Sequence, residues 1–365
     1  MNIGDAVARL IDSAKKIDGW LDNTTEVSSV PELRENIMKA NEDGLQIVPF
    51  RSGRTQDIDL MDRIPLDISQ IKPEIDIRPE RLTASVGSAM MVEDLNMALN
   101  SVNMKIEAID GFESVSIGGL VAMGLSLPHR LPGRLNTSLI GLEVIDSNGD
   151  EFFTGRRTLK GVAGYHLNSI YIASFGRYGY IKNLIFRMNP EEEVSKVLSV
   201  KLQSIDDYIK LCSMLNRLSS YRGSIFVNSR LALTAFNRES PVVIIWLSGS
   251  SYAVSRAKDA LMSEIPYMEN SQIKLNTLTE IDLDFVKEGV FILCAKLSSE
   301  NVYNIKNIED IPYIIRSDGL LELMIRMEDV SGVEDINGIE IHSIYYKSRN
   351  RLLMYNENSS KSIHL

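Results

Sequence analysis

The reading turns on one stretch: Leu159-Lys160-Gly161-Val162-Ala163-Gly164-Tyr165, followed after a short gap by Ser174-Phe175-Gly176-Arg177-Tyr178-Gly179-Tyr180-Ile181. Glycine has no Cβ and tolerates positive φ, so such a stretch lets the backbone come close to a bulky ligand. Working outward, two earlier stretches share this character. They are Arg51-Ser52-Gly53-Arg54-Thr55 and Ser116-Ile117-Gly118-Gly119. None of the three is a Rossmann Gly-x-Gly-x-x-Gly at a strand–helix junction, and none carries a Walker A lysine. Turns explain any one of them alone. Their order and spacing call for a common cause.

Taken together, the blocks resemble the FAD-linked oxidases with a vanillyl-alcohol-oxidase (PCMH) type of FAD-binding domain. The likeness runs from about Val30 to Pro190. It is strongest in Ser116 to Ala122, in Gly133 to Gly141, and in the stretch quoted first, which looks like the family's Lys-Asn-x-x-Gly-Tyr-Asp … Gly-Ser-x-Gly-x-Leu-Gly-x-Ile signature. Within the family the chain is most like the smaller flavoprotein subunit of a glycolate oxidase. The resemblance implies FAD as cofactor. It places the pyrophosphate on the first loop and the Gly-Gly block, through backbone N–H groups, with the later glycines along ribose and adenine. The positions so implied are Arg51, Ser52, Gly53, Arg54, Thr55, Ser116, Ile117, Gly118, Gly119, Gly133, Gly164, Gly176, Gly179 and Ile181. A diphosphate carries about two negative charges, which converging backbone dipoles hold well.

The sequence departs from the family pattern at named places. The first loop keeps only Gly53, with Arg51 and Arg54 beside it. Gly161, His166, Ala173, Tyr178 and Thr137 stand where the family has asparagine, aspartate, glycine, leucine and aspartate. Either an arginine replaces a glycine and supplies charge, or the phosphate cradle is degraded.

The surrounding pattern is α+β. Met1–Trp20 reads as an amphipathic helix without the apolar segment of a signal peptide. Val30–Ala40 reads as a helix with Ser28-Ser29 before it and Pro31 in its first turn. Leu45–Phe50 and Leu82–Val86 read as strands and Val92–Ser101 as a helix. Leu139–Asp146 alternates and reads as a strand, turning at Asn148-Gly149 into Phe152-Phe153-Thr154. Tyr180–Met188 is the next strand. Past Pro190-Glu191-Glu192-Glu193, strand Val197–Gln203, helix Ile205–Leu218, strands Ser224–Val227 and Val242–Ser248, and helix Tyr252–Ile265 follow. That β-α-β-β-α order resembles a split βαβ, ferredoxin-like unit. With the resemblance, the expectation is a two-lobed FAD-binding domain over 1–193 (lobes about 1–80 and 81–193). A smaller ferredoxin-like cap covers 194–365, with its last strands open to a return to the FAD-binding part.

Composition narrows the function. The chain has 365 residues and a net charge of −10, which argues against work mainly on nucleic acid. Yet from His129 to Lys182 bases outnumber acids: Arg130, Arg134, Arg156, Arg157, Lys160, Arg177 and Lys182 against Glu143, Asp146, Asp150 and Glu151. A solvated basic face would give the same count. The only two cysteines, Cys212 and Cys294, cannot hold an iron–sulfur cluster by themselves, since such clusters typically need four thiolates. They fit a reducing, cytoplasmic compartment. The longest apolar run, Val242–Leu247, is far short of the ~20 residues that span a bilayer, so any membrane association is expected to be peripheral, through a partner.

Oxidising a 2-hydroxy acid requires a base, a cation for the carboxylate and a hydride acceptor. His129 and Arg130 are the candidates for the first two, although a loop touching phosphate or another subunit is the plainer reading. His166 reads as a hydrogen-bonded structural histidine, His342 and His364 have no evident partner, and four scattered histidines offer no metal spacing. The reading that results is an FAD-binding oxidoreductase subunit of a glycolate (2-hydroxy-acid) oxidase complex. Electrons would pass to a sister flavoprotein or a separate iron–sulfur subunit. Two alternatives stay open: a structural or regulatory subunit that has kept the fold and lost FAD, and a stand-alone flavin dehydrogenase for another alcohol or hydroxy acid.

Overall fold

The computed structural model describes residues 3–51, 55–57, 59, 61–125, 134–158, 167–264, 290–297, 308, 310–317, 319–326, 341–348 and 351–356. The chain divides into two compact units. One comprises 15–127 and 131–191, the other 1–14, 128–130 and 192–365. The first helix, α1 (Ile3–Leu21), contributes residues to both.

The unit around residues 15–191 contains two main sheets. The smaller is parallel and has β4 (Ile64–Asp67) between β1 (Thr25–Glu26) and β2 (Ile47–Phe50). Helix α2 (Val30–Glu42) covers it. Its start follows from sequence: Ser29 accepts from Glu32 N at 3.3 Å, Pro31 sits in the first turn, and Leu33, Ile37 and Ala40 form one buried stripe. Gly44, at φ +69°, ends it. A short strand β3 (Thr55–Asp57) follows β2.

The larger sheet is antiparallel. It is built from β5 (Ile75–Arg78), β6 (Thr83–Gly87), β8 (Leu139–Ile145), β9 (Glu151–Gly155) and β10 (Tyr180–Arg187), in the order β5-β6-β10-β8-β9. A separate two-stranded pair joins β7 (Met104–Lys105) to β11 (Asn189–Pro190). Against the larger sheet lie α3 (Val92–Asn100) and α4 (Ile117–Met123). Leu95, Leu99, Ile117, Leu120 and Val121 share a core there with Leu142, Val144, Leu184 and Phe186. Two short helices, α5 (Leu135–Ser138) and α6 (Asn168–Tyr171), complete the unit. The two sheets share a second core of Val27, Leu33, Ile37, Leu66, Ile68, Ala89, Ile145 and Tyr180. Arg34 on α2 also donates through Nε to the Gly149 carbonyl at 2.6 Å, gripping the β8–β9 turn.

The expected alternation of β8 does not hold. Only Glu143 is half-exposed, and the rest of the strand is buried, because Leu142 and Val144 pack into the core with α3 and α4 while Ile145 packs into the core shared with the parallel sheet.

In the second unit the strands are β12 (Val194–Lys201), β13 (Tyr221–Val227), β14 (Val242–Gly249), β15 (Val290–Lys296), β16 (Tyr313–Arg316), β17 (Leu320–Arg326), β18 (Ile341–Ser348) and β19 (Arg351–Asn356). They lie in the order β12-β14-β13-β16-β17-β15-β18-β19, each antiparallel to its neighbours. Helix α7 (Ile205–Leu215) links β12 to β13, and β14 inserts between them, which is a split βαβ. A capping box starts α7: Ser204 Oγ accepts from Asp207 N, and Asp207 Oδ2 accepts from Ser204 N. The expected β-α-β-β-α order is corrected by an extra helix, α8 (Ser229–Phe236), between β13 and β14. Helix α9 (Ser251–Glu264) follows β14.

Candidate cofactor site

The second glycine block is not a loop. Ser116 is the N-cap of α4, and its Oγ accepts from Gly119 N at 3.2 Å. Gly118 N donates to the Ser88 carbonyl at 2.8 Å, and Ile117 N to the Met90 carbonyl at 2.8 Å. The N–H groups of Ile117, Gly118 and Gly119 are therefore engaged inside the fold. Gly118 is required by close approach: a Cβ there would stand 2.7 Å from Ser88 Cβ.

The third block docks on the other end of the same helix. Ala173 N donates to the Val121 carbonyl at 3.1 Å and Phe175 N to the Ala122 carbonyl at 2.8 Å, satisfying carbonyls that α4 leaves open at its C-terminus. The turn that makes this possible is unusual. Ala173 (φ +60°), Phe175 (φ +54°), Gly176 (φ +80°) and Gly179 (φ +116°) all have left-handed or otherwise positive φ. At Gly179 a Cβ would also meet the Ile145 carbonyl at 2.5 Å. Ile181 follows in β10 with its side chain in the core.

Ser116, Ile117, Gly118 and Gly119 thus form the N-cap and first turn of one short helix, and Ala173 and Phe175 fasten the third block to its C-terminal end. Arg51 is the residue directly after β2, and Thr55 opens β3. Ser52, Gly53, Arg54, His129, Arg130, Gly133 and Gly164 lie outside the described residues, as do His166 and His364. His342 falls in β18. Among the described residues no group of three metal-ligating side chains occurs, and no helix is long and apolar enough to cross a membrane. Both cysteines are free thiols.

Sequence reasoning missed Ser88. It is buried in the turn after β6 and makes four contacts at once. Its carbonyl accepts from Gly118 N, its N–H donates to the Lys182 carbonyl at 3.0 Å, its Oγ donates to Tyr180 Oη at 3.0 Å, and its Cβ abuts Gly118. Nothing local in Gly87-Ser88-Ala89 signals this, because every partner is distant in sequence.

Comparison with known proteins places this framework. Residues 23–155 match the family model described as FAD binding domain. This chain carries an FAD binding domain. Glycolate oxidase subunit GlcD of Bacillus subtilis (strain 168) is 33% identical over 141 residues, covering 36% of this chain and 28% of that protein. Glycolate oxidase subunit GlcE of Escherichia coli (strain K12) is 24% identical over 212 residues, covering 51% of this chain and 60% of that protein. The chain therefore spans less than two thirds of either relative. An alkyldihydroxyacetonephosphate synthase structure superposes with a TM-score of 0.66 over 87% of this chain and 71% of its own, at 12% identity, a likeness of fold.

The residues present suit such a cofactor. Arg51 Nε is buried with no hydrogen-bond partner among the described residues, a donor held ready beside the first glycine loop. Among the described residues, none has an atom within 4 Å of where a Gly176 Cβ would stand, and its φ is positive. A cationic donor and a bare backbone are what a diphosphate with a bulky nucleoside requires.

Proposed function

We propose that the chain is an FAD-dependent oxidoreductase, acting as the smaller flavoprotein subunit of a complex that oxidises glycolate or a related 2-hydroxy acid. The observation that carries this is the coincidence of the family match over residues 23–155 with the framework around α4. Residues 1–193 form the FAD-binding domain, its lobes built on the parallel and the antiparallel sheet. Residues 194–365 form a ferredoxin-like cap, a reading supported by the split β12-α7-β13 pair.

FAD, when bound, supplies the hydride acceptor. The chain supplies the hold on it. Arg51, with Ser52, Gly53, Arg54 and Thr55, meets the diphosphate. Gly176 gives bare backbone along the nucleotide, Gly133 and Gly164 are assigned the same role, Gly118, Gly119 and Gly179 shape the framework behind it, and His129 and Arg130 are the groups nearest in kind to a base and a carboxylate clamp. With two free cysteines, Cys212 half-buried and Cys294 buried, onward electron transfer calls on a sister flavoprotein and an iron–sulfur subunit. The complex is placed in the cytoplasm, peripheral to the membrane through a partner.

The test is purification of the chain alone and with co-expressed partners. FAD at about one per chain, with flavin absorbance bleached by a 2-hydroxy acid only in the assembled complex, is the expected result. Protein that neither carries nor takes up FAD refutes the reading.

A further inference from the structure

The second and third glycine blocks meet not only at α4 but also at one buried hydroxyl pair. Ser88 Oγ donates to Tyr180 Oη at 3.0 Å, and both residues are almost wholly buried. Ser88 is tied to the start of α4 through the 2.8 Å bond from Gly118 N, and to β10 through its own N–H to Lys182. Tyr180 directly follows Gly179, whose backbone is pressed against Ile145. The Tyr180 ring lies in the core shared with α2 and the parallel sheet, beside Leu33, Ile37 and Leu66. One hydrogen bond therefore connects four parts: the parallel sheet's core, the start of α4, the end of the third block, and the centre of the antiparallel sheet.

We propose that Ser88 and Tyr180 are positioning residues for FAD. Their hydrogen bond fixes where the Gly176–Gly179 turn stands relative to the first turn of α4, and so sets the position of the Gly176 backbone toward the nucleotide. The inference rests on the reading that these blocks line the FAD site. Without the bond, the Tyr180 ring keeps its apolar core and the backbone bonds of Ser88 to Gly118 and Lys182 keep the fold, so the loss falls on the setting of the turn that Tyr180 ends. Burial also pushes the Tyr180 phenol up from its ordinary value, in keeping with a hydroxyl that stays protonated and serves only to hydrogen-bond.

The experiment compares wild type, Tyr180→Phe, Ser88→Ala and the double variant as flavin-stripped full-length protein. FAD dissociation constants are read by quenching of flavin fluorescence, and thermal midpoints are taken without FAD. The expected result is a rise in Kd of about tenfold in each single variant, the size that loss of one buried hydrogen bond gives. The double variant is expected to be no weaker than the weaker single, since both remove the same bond. Kd values within about twofold of wild type, with only the thermal midpoint lowered, would make the pair merely structural and overturn the proposal. So would additive losses in the double variant. If Ser88→Ala does not fold, Tyr180→Phe alone decides, because it keeps the buried ring. Wild type that binds no FAD sinks the cofactor reading itself, a result distinct from any difference among the variants.

Discussion

Ala173 holds a left-handed backbone at φ +60° in a chain position where the resemblance expects glycine. An L-residue pays about 1–2 kcal/mol for that conformation. The turn persists because its N–H and that of Phe175 bond the end of α4. Ala173→Gly is therefore expected to raise stability by about 1 kcal/mol, read as a higher midpoint in urea with an unchanged slope. This position was legible: the departure from glycine is visible in the sequence, and the structure gives its cost. Gly118 was legible as a glycine that something approaches closely, but the sequence pointed to a ligand, and the neighbour in the fold is Ser88. Ser88 itself was not legible, since a serine in a turn is ordinary until its distant partners Gly118, Lys182 and Tyr180 are known.

Among the elements, those with their own start signals were readable. Helix α2 carries Ser29 and Pro31, and α7 carries Ser204 and Asp207. Helix α4 was hidden because adjacent glycines disfavour helix by about 1 kcal/mol each, and tertiary contacts with Ser88 and Leu142's layer override that. Helix α8 has a weak signal of its own because it is short and sits between two strong strand signals. Its start depends on Asn228, whose Oδ1 accepts from Leu231 N and from Tyr313 N, both at 3.1 Å, while Nδ2 donates to the Ile311 carbonyl at 2.7 Å. The cap thus also ties α8 to the segment entering β16, a link sequence reading cannot supply. Asn228→Ala removes the cap and two long-range bonds together. It is expected to cost about 2–3 kcal/mol, above the ~1 kcal/mol of an ordinary cap, in chemical denaturation.

At the level of the whole molecule, several acidic groups are kept neutral by burial. Tyr208 is pushed well above the ordinary 10.0, Tyr171 and Tyr180 are raised, and the thiols of Cys212 and Cys294 are raised from 9.0. Each binds its proton more tightly folded than unfolded. Their contribution to stability is full below about pH 9 and is lost as pH rises past the unfolded values toward the folded ones. Thermal midpoints are expected to fall from pH 9 to 11, and less steeply in Tyr208→Phe. Strand order was not legible, because pairing is set by contacts remote in sequence. In the antiparallel sheet the middle place belongs to β10, the last of its five strands to be made. A fragment of residues 23–155 lacks that strand and is expected to show no cooperative melting transition, whereas a fragment of residues 15–191 is expected to melt cooperatively. During synthesis the β5–β6 and β8–β9 hairpins must wait on either side of a vacant place until Tyr180–Arg187 leaves the ribosome. Helix α4, whose Ile117, Leu120 and Val121 pack in one core with Leu184 and Phe186 of that strand, has no settled seat before then. On the proposed reading, capture of the nucleotide is timed to the arrival of that one strand.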